Sequence, residues 1–181
     1  PQLNVVEITN QIPLFNLNHA AFVLRHSYKH FPKGTIHLVL VNSDSCQSQR
    51  MIAFNYDEHN FIVPDNGLIG LLLKEPPQDV FAFPFISKGS FASLEPSIQA
   101  IDGICKGSNL ASIAETISNF DQRIPLRATI ENSAITGNII YIDSYMNAIT
   151  NVSKGLFERI GKGRRFELFV QSQHNKVEKI S

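Results

Sequence analysis

An almost continuously apolar run at residues 35–41 constrains the fold of this chain more than any other feature. Runs of this kind are typical of strands covered on both faces, as in a parallel sheet flanked by helices. A β-branched segment at residues 4–8 predicts an earlier strand, and apolar positions within residues 17–31 recur at helical spacing after a cap at Asn16. Strand, helix and strand in this order predict a βαβ unit.

The sequence pattern changes near Arg123, from mixed helix and strand segments to segments typical of strands alone. The elements expected before it are a hairpin (51–56 with 60–63), a tight turn (64–67), a strand (79–83), a helix (95–105) and a short helix capped by Ser108 (108–114). The segments after it that alternate with period two, and so predict strands, are 126–132, 137–143, 148–152 and 166–170. We therefore expect an α/β domain at residues 1–123 and a small all-β domain at residues 124–181.

Composition excludes several classes of function. The 16 basic and 16 acidic residues balance, and the longest basic cluster is residues 162–165, so nucleic acid is not an expected partner. Cys46 and Cys105 have no zinc-binding or disulfide spacing, which predicts a reduced, cytoplasmic setting. The sequence has no apolar run of membrane-spanning length and no signal peptide, so we expect no membrane partner.

A polar turn joins two apolar runs within residues 141–152. It carries the Asp143 carboxylate, the Tyr145 ring and the Asn147 carboxamide. A carboxylate and a carboxamide this close could bind a ribose diol or an ammonium group. The alternative is that both side chains satisfy the backbone of the turn itself. A second polar segment, residues 42–50, follows a predicted strand, where ligands bind in open α/β sheets.

Four segments, occurring in order, resemble one family. They are residues 5–9, 31–37, 63–68 and 141–152. The chain is similar in these segments to the S-adenosylmethionine hydroxide adenosyltransferases (S-adenosylmethionine hydrolases), relatives of the S-adenosylmethionine-dependent chlorinase and fluorinase. The resemblance spans residue 4 to about residue 170.

The resemblance implies an amino-terminal Rossmann-like α/β domain, a carboxyl-terminal β-barrel and a homotrimer with the ligand site between subunits. The implied reaction is attack of water or hydroxide at the ribose C5′ of S-adenosylmethionine, which gives adenosine and methionine without metal or further cofactor. The family opens with a T-D-F-G segment and closes with adenine-contacting strands. Neither is in this sequence, so we expect each domain to lack a part.

Some residues match the family's site. The resemblance implies that Asp143 and Asn147 hold the methionine end of the ligand, with Tyr145 at an aromatic position. Met146 stands where the family has glycine. Phe15 falls where the halogenases carry a tryptophan beside the ribose, although an aromatic residue just before a helix is also a common core staple.

Other residues depart from the family's pattern. The water-activating Asp and Arg are replaced by Asn42 and Gln49, which can neither take a proton nor lower a pKa by charge. A one-residue slip would offer Asp44 and Arg50 as a substitute pair. Their alternative roles are a loop cap and a surface residue. The family's histidine should fall at residues 86–89, where none is present.

Two main functions follow. The first is hydrolysis of S-adenosylmethionine. The alternative is a degenerate relative that binds S-adenosylmethionine or adenosine without turnover. A third possibility is an enzyme of the same fold that uses another nucleophile or another nucleoside substrate.

Of the six histidines, only His37 lies on a predicted buried strand, where we expect a hydrogen-bonded core residue and not a base.

Overall fold

The computed structural model describes residues 3–44, 46–86, 89, 91–132, 134–171 and 175–177. The chain divides into two compact units, Pro1–Pro125 and Leu126–Ser181. The first unit contains α1 (Leu17–Ser27) with a 3-10 turn (Tyr28–His30), β1 (Ile36–Leu38), β2 (Arg50–Tyr56), β3 (His59–Pro64), α2 (Leu68–Leu72), β4 (Val80–Pro84), α3 (Leu94–Cys105), a second 3-10 turn (Leu110–Ser112) and β5 (Glu115–Ile117).

One five-stranded sheet, in the order β1-β3-β2-β4-β5, forms the centre of the first unit. Only β1 and β3 are parallel, with Ile36 opposite Asn60, and the other pairs are antiparallel. The mixed α/β class is therefore confirmed, but the sheet is mostly antiparallel. The expected parallel pattern was wrong because the hairpin β2-β3 and the strand β4 pair by short antiparallel connections.

The expected βαβ unit is absent from the described residues, since residues 4–8 do not form a strand. Val5 is 92% exposed, so its β-branched side chain has no cross-strand neighbour to pack against. The strand expected at residues 35–41 is shortened to β1. It lies at the sheet edge, where His37 is buried and Leu38 is exposed, so it is not covered on both faces.

Side chains of alternate strand residues enter two separate cores. On one face Phe54 and Phe61 stack with centroids 5.3 Å apart and pack with apolar residues of α1 and α2. On the other face Met51 and Ala53 pack with Phe83 and with α3. The period-two alternation of β2 thus places helices on both sides of the sheet.

The sequence located several of these elements correctly. The hairpin, the strand β4 and the helix α3 are confirmed. The hairpin turn uses Asp57 and Glu58 with φ of 52° and 62°, which matches the right-handed twist of the paired strands. The short helix after α3 is a 3-10 turn capped by Asn109, whose side chain accepts from the Ala111 N–H, so the Ser108 cap was wrong.

The second unit contains short strand pairs and one helix. Its elements are β6 (Thr129–Glu131) with β7 (Ala134–Thr136), β8 (Ile139–Ile142) with β9 (Ala148–Thr150), β10 (Leu168–Phe169) with β11 (Lys176–Val177), and α4 (Lys154–Gly161). The described strands form separate pairs and do not close a barrel. The all-β expectation also missed α4, which begins where the Ser153 side chain accepts from the Leu156 N–H. None of this unit's described residues is buried.

No helix in the described ranges combines the length and apolarity needed to cross a bilayer.

Candidate functional site

The polar segment at residues 42–50, called here the polar loop, leads from β1 to β2. Asn42 and Gln49 both have left-handed backbones, with φ of 57° and 48°. Asn66, from the turn after β3, donates from its side-chain amide to the Val41 carbonyl at 3.1 Å. Its Oδ1 accepts from the Leu68 N–H at 3.3 Å, so one carboxamide fixes both the start of the loop and the start of α2.

Asp65, also in the turn after β3, holds the other end of the polar loop. Its side chain is 1% exposed, and Oδ2 lies 2.7 Å from Nε of Arg50. Oδ1 accepts from the backbone N–H of Asp121 at 2.7 Å. The Asp65 carbonyl oxygen lies 2.8 Å from Cys46 Sγ and accepts from Ser48 Oγ at 2.9 Å. Asp65 is therefore the common partner of three loop residues.

The substitute pair suggested by the sequence is not joined in this geometry. Arg50 donates from Nε to Asp65 and from Nη2 to the Asn119 carbonyl at 2.8 Å. Asp44 is exposed, and among the described residues no ion pair links it to Arg50. The roles of Asp44 and Arg50 in catalysis stay predictions.

The two substituted positions differ in environment. Asn42 is half-buried, and its carbonyl is 3.4 Å from the Asn66 amide. Gln49 is exposed, and its carbonyl accepts from the Phe85 N–H at 2.8 Å. The segment expected to hold the family's histidine includes residues 87 and 88, which lie outside the described residues.

Asp143 organises the polar turn of the second unit. Its Oδ1 accepts from the N–H groups of Tyr145 at 2.9 Å and Asn147 at 2.8 Å, and Oδ2 accepts from the Asn147 side-chain amide at 2.8 Å. The side-chain and backbone hydrogen bonds from Asn147, with a smaller one from Tyr145, lower the pKa of Asp143. The carboxylate is thus held ionised at neutral pH, beside a carboxamide that the same turn orients.

The two positions after Ser144 project outward. Tyr145 is 86% exposed and Met146 is 80% exposed. Met146 has φ of 65°, the left-handed conformation that favours glycine, so its side chain occupies a position of backbone strain. Phe15, in the first unit, is also exposed and left-handed, with φ of 60°. The Phe15 ring is therefore not packed in the core.

Sequence reasoning missed two clusters. The sequence assigns Asp65 and Asn66 to a tight turn and to a family-like segment, but not to a buried anchor, although a carboxylate and a carboxamide between two apolar runs are a signal of one. The His37–His59 pair was also missed, because these histidines are separated along the chain and meet only through β1-β3 pairing.

In the described part of the chain, no group of three or more His, Cys, Asp and Glu side chains is placed to hold a metal ion.

A sheet with helices on both faces, followed by a second unit of short strand pairs, defines a two-unit protein of the mixed α/β class. Within this class the chain belongs to the SAM (S-adenosylmethionine) hydroxide adenosyltransferase family. The model of the family's N-terminal domain matches residues 1–99, and that of its C-terminal domain matches residues 137–180. The family resemblance inferred from the four segments is confirmed.

Solved structures share the fold. An uncharacterised conserved protein from Thermotoga maritima is 22% identical with a TM-score of 0.73, and the match covers 89% of this chain and 65% of that one. A conserved hypothetical protein from Thermus thermophilus is also 22% identical, with a TM-score of 0.59 and coverage of 77% and 56%. This chain thus spans less than two thirds of the length of either relative.

Proposed function

We propose that this chain binds S-adenosylmethionine, or the adenosine derived from it, and that it does so without the hydrolysis typical of its family. Family membership supports the ligand. The observation that carries the absence of turnover is the engagement of Arg50 by Asp65 and Asn119, since both hydrogen bonds direct this guanidinium toward protein groups.

The polar turn supplies the recognition chemistry in this proposal. An ionised Asp143 attracts the ammonium group of the methionine end, and the Asn147 carboxamide can both donate and accept. Because the turn already orients Asp143 through three hydrogen bonds, little side-chain entropy is lost when the ligand binds.

The family reaction defines what is missing. Water oxygen forms a bond to C5′, the C5′–sulfur bond breaks with its electron pair passing to sulfur, and the water proton needs an acceptor. The sulfonium is a good leaving group, so alignment and desolvation of the nucleophile are the main requirements. Asn42 and Gln49 cannot accept that proton or stabilise hydroxide by charge.

Hydrolysis is the second candidate, and the observation that favours it is Asp44. It is the one carboxylate in the sequence of the polar loop, and it is exposed, so ligand binding could bring it to a water molecule. The family architecture further supports a homotrimer with the site at a subunit interface, where the exposed Tyr145 would contact a neighbour, and a cytoplasmic setting.

Calorimetry with S-adenosylmethionine, followed by chromatography of the same mixture, tests the proposal. We expect binding with no adenosine formed above the uncatalysed background, and binding at least tenfold weaker in Asp143→Ala. Glu158→Gln, at an exposed carboxylate of α4 paired with Lys154 at 3.8 Å, is the matched control and should bind as the wild type does. The proposal is overturned if the protein binds neither S-adenosylmethionine nor adenosine. Release of many adenosine molecules per protein molecule establishes the second candidate.

A further inference from the structure

A fully buried carboxylate needs compensation for the water it loses, and Asp65 receives it from several directions. The Arg50 guanidinium neutralises Oδ2, and the Asp121 N–H satisfies Oδ1. These partners are 15 and 56 residues away along the chain, so the carboxylate joins three separate segments.

Several anchors of the polar loop lead to Asp65, one through its carboxylate and three through its backbone. Arg50 reaches the side chain of Asp65, while Cys46 and Ser48 reach the carbonyl of the same residue. The Asp65 N–H donates to the Arg50 carbonyl at 3.2 Å. At the other end of the loop Ser43 Oγ accepts from Ser93 Oγ at 2.9 Å, a neutral hydrogen bond of ordinary strength.

We infer that Asp65 is the positioning residue of the polar loop: its ion pair with Arg50 fixes the loop for the ligand without touching the ligand itself. The ligand half of this inference rests on the proposed function. The loop half does not, because the hydrogen bonds between Asp65 and the loop are properties of the free protein.

Cys46 provides a readout of loop position. Its thiol is 4% exposed and lies against the Asp65 carbonyl, whereas Cys105 in α3 is half-buried and distant from the loop in sequence. Alkylation by iodoacetamide, located by mass spectrometry, therefore compares a loop cysteine with an internal reference. If Asp65 positions the loop, Asp65→Asn should increase the rate of Cys46 alkylation at least tenfold and leave the Cys105 rate within twofold.

A double-mutant cycle separates positioning from general destabilisation. Arg50→Gln should raise the Cys46 rate as Asp65→Asn does, and the double variant should be no faster than either single variant, because all three lack the same ion pair. Arg50→Lys should restore part of the protection. Glu58→Gln, which removes the exposed ion pair with Lys33, is the matched control and should match the wild type.

The outcomes are distinct. Unchanged Cys46 protection in Arg50→Gln overturns the inference even if Asp65→Asn does not fold. Equal acceleration at Cys46 and Cys105 also overturns it, since that result indicates global unfolding. A wild type that binds neither S-adenosylmethionine nor adenosine refutes the proposed function, while the alkylation result still decides the role of Asp65. If the wild type binds, Asp65→Asn should bind at least tenfold more weakly, and equal binding overturns the ligand half.

Discussion

Nε2 of His37 lies 3.2 Å from Nδ1 of His59, and the two residues are only 3% and 4% exposed. The pair packs under the rings of Tyr28 and Phe61, with centroid distances of 5.0–6.2 Å. One ring donates and the other accepts, so the pair is satisfied when neutral. A proton on either ring would introduce a charge among aromatic side chains.

Acid should therefore destabilise the first unit through His37. Burial, and then the charge of His59, lower the pKa of His37 from 6.5 to about 4. Between these values the unfolded chain binds more protons than the folded one, so the free energy of unfolding falls as pH drops from 6.5 to 4. The loss is up to about 3 kcal/mol.

Urea unfolding between pH 4 and 7 measures this dependence. His37→Gln should flatten the pH slope, whereas His30→Gln, at an exposed position, should keep it. An unaltered slope in His37→Gln would show that other groups govern the acid response.

Met146→Gly should stabilise the polar turn. The side chain is exposed and the backbone has φ of 65°, so glycine removes left-handed strain worth about 1 kcal/mol without removing a buried contact. Thermal unfolding of the whole chain, followed by circular dichroism, measures the gain. Met146→Ala, which keeps a Cβ, is the control, and a glycine variant no more stable than the alanine variant would contradict the strain argument.

Phe15→Ala should separate binding from folding. Because Phe15 is 67% exposed, its removal should change the free energy of unfolding by less than about 0.5 kcal/mol. If the ring lines the ligand site, calorimetry should show S-adenosylmethionine binding weakened severalfold. Phe91→Ala, at a residue 72% exposed, is the matched control. Equal affinities for the two variants would remove Phe15 from the site.

Gly70→Ala should be destabilising although the residue is helical. Alanine ordinarily gains about 1 kcal/mol over glycine inside a helix. A Cβ at residue 70 would meet the Arg123 carbonyl oxygen at 2.5 Å, and relief of this overlap costs about 1–3 kcal/mol. Gly155→Ala in α4 should instead be neutral or stabilising, because among the described residues a Cβ there meets no atom within 4 Å outside its own helix backbone and chain neighbours. Denaturant midpoints of both variants give the comparison, and a stabilised Gly70→Ala would refute the close approach.

Local patterns predicted the hairpin β2-β3 because its alternation, turn and length all lie within about fifteen consecutive residues. The same local patterns wrongly predicted a strand at residues 4–8, because β-branched residues favour a strand whether or not a neighbouring strand is present to pair with it. The sequence proposed Asp143 and Asn147, whose hydrogen bonds span only four positions. It missed Asp65 as an anchor because its partners Arg50 and Asp121 are brought near only by the completed sheet.

The alternation along β2 separates the first unit into two interiors that share a backbone but few side chains. Phe54 packs with one set of neighbours and Met51 with the other, on opposite faces of the sheet. Substitutions at these two positions should add independently, because among the described residues they belong to separate core clusters. A change beneath α3 should therefore leave the packing beneath α1 and α2 intact, and the reverse should also hold.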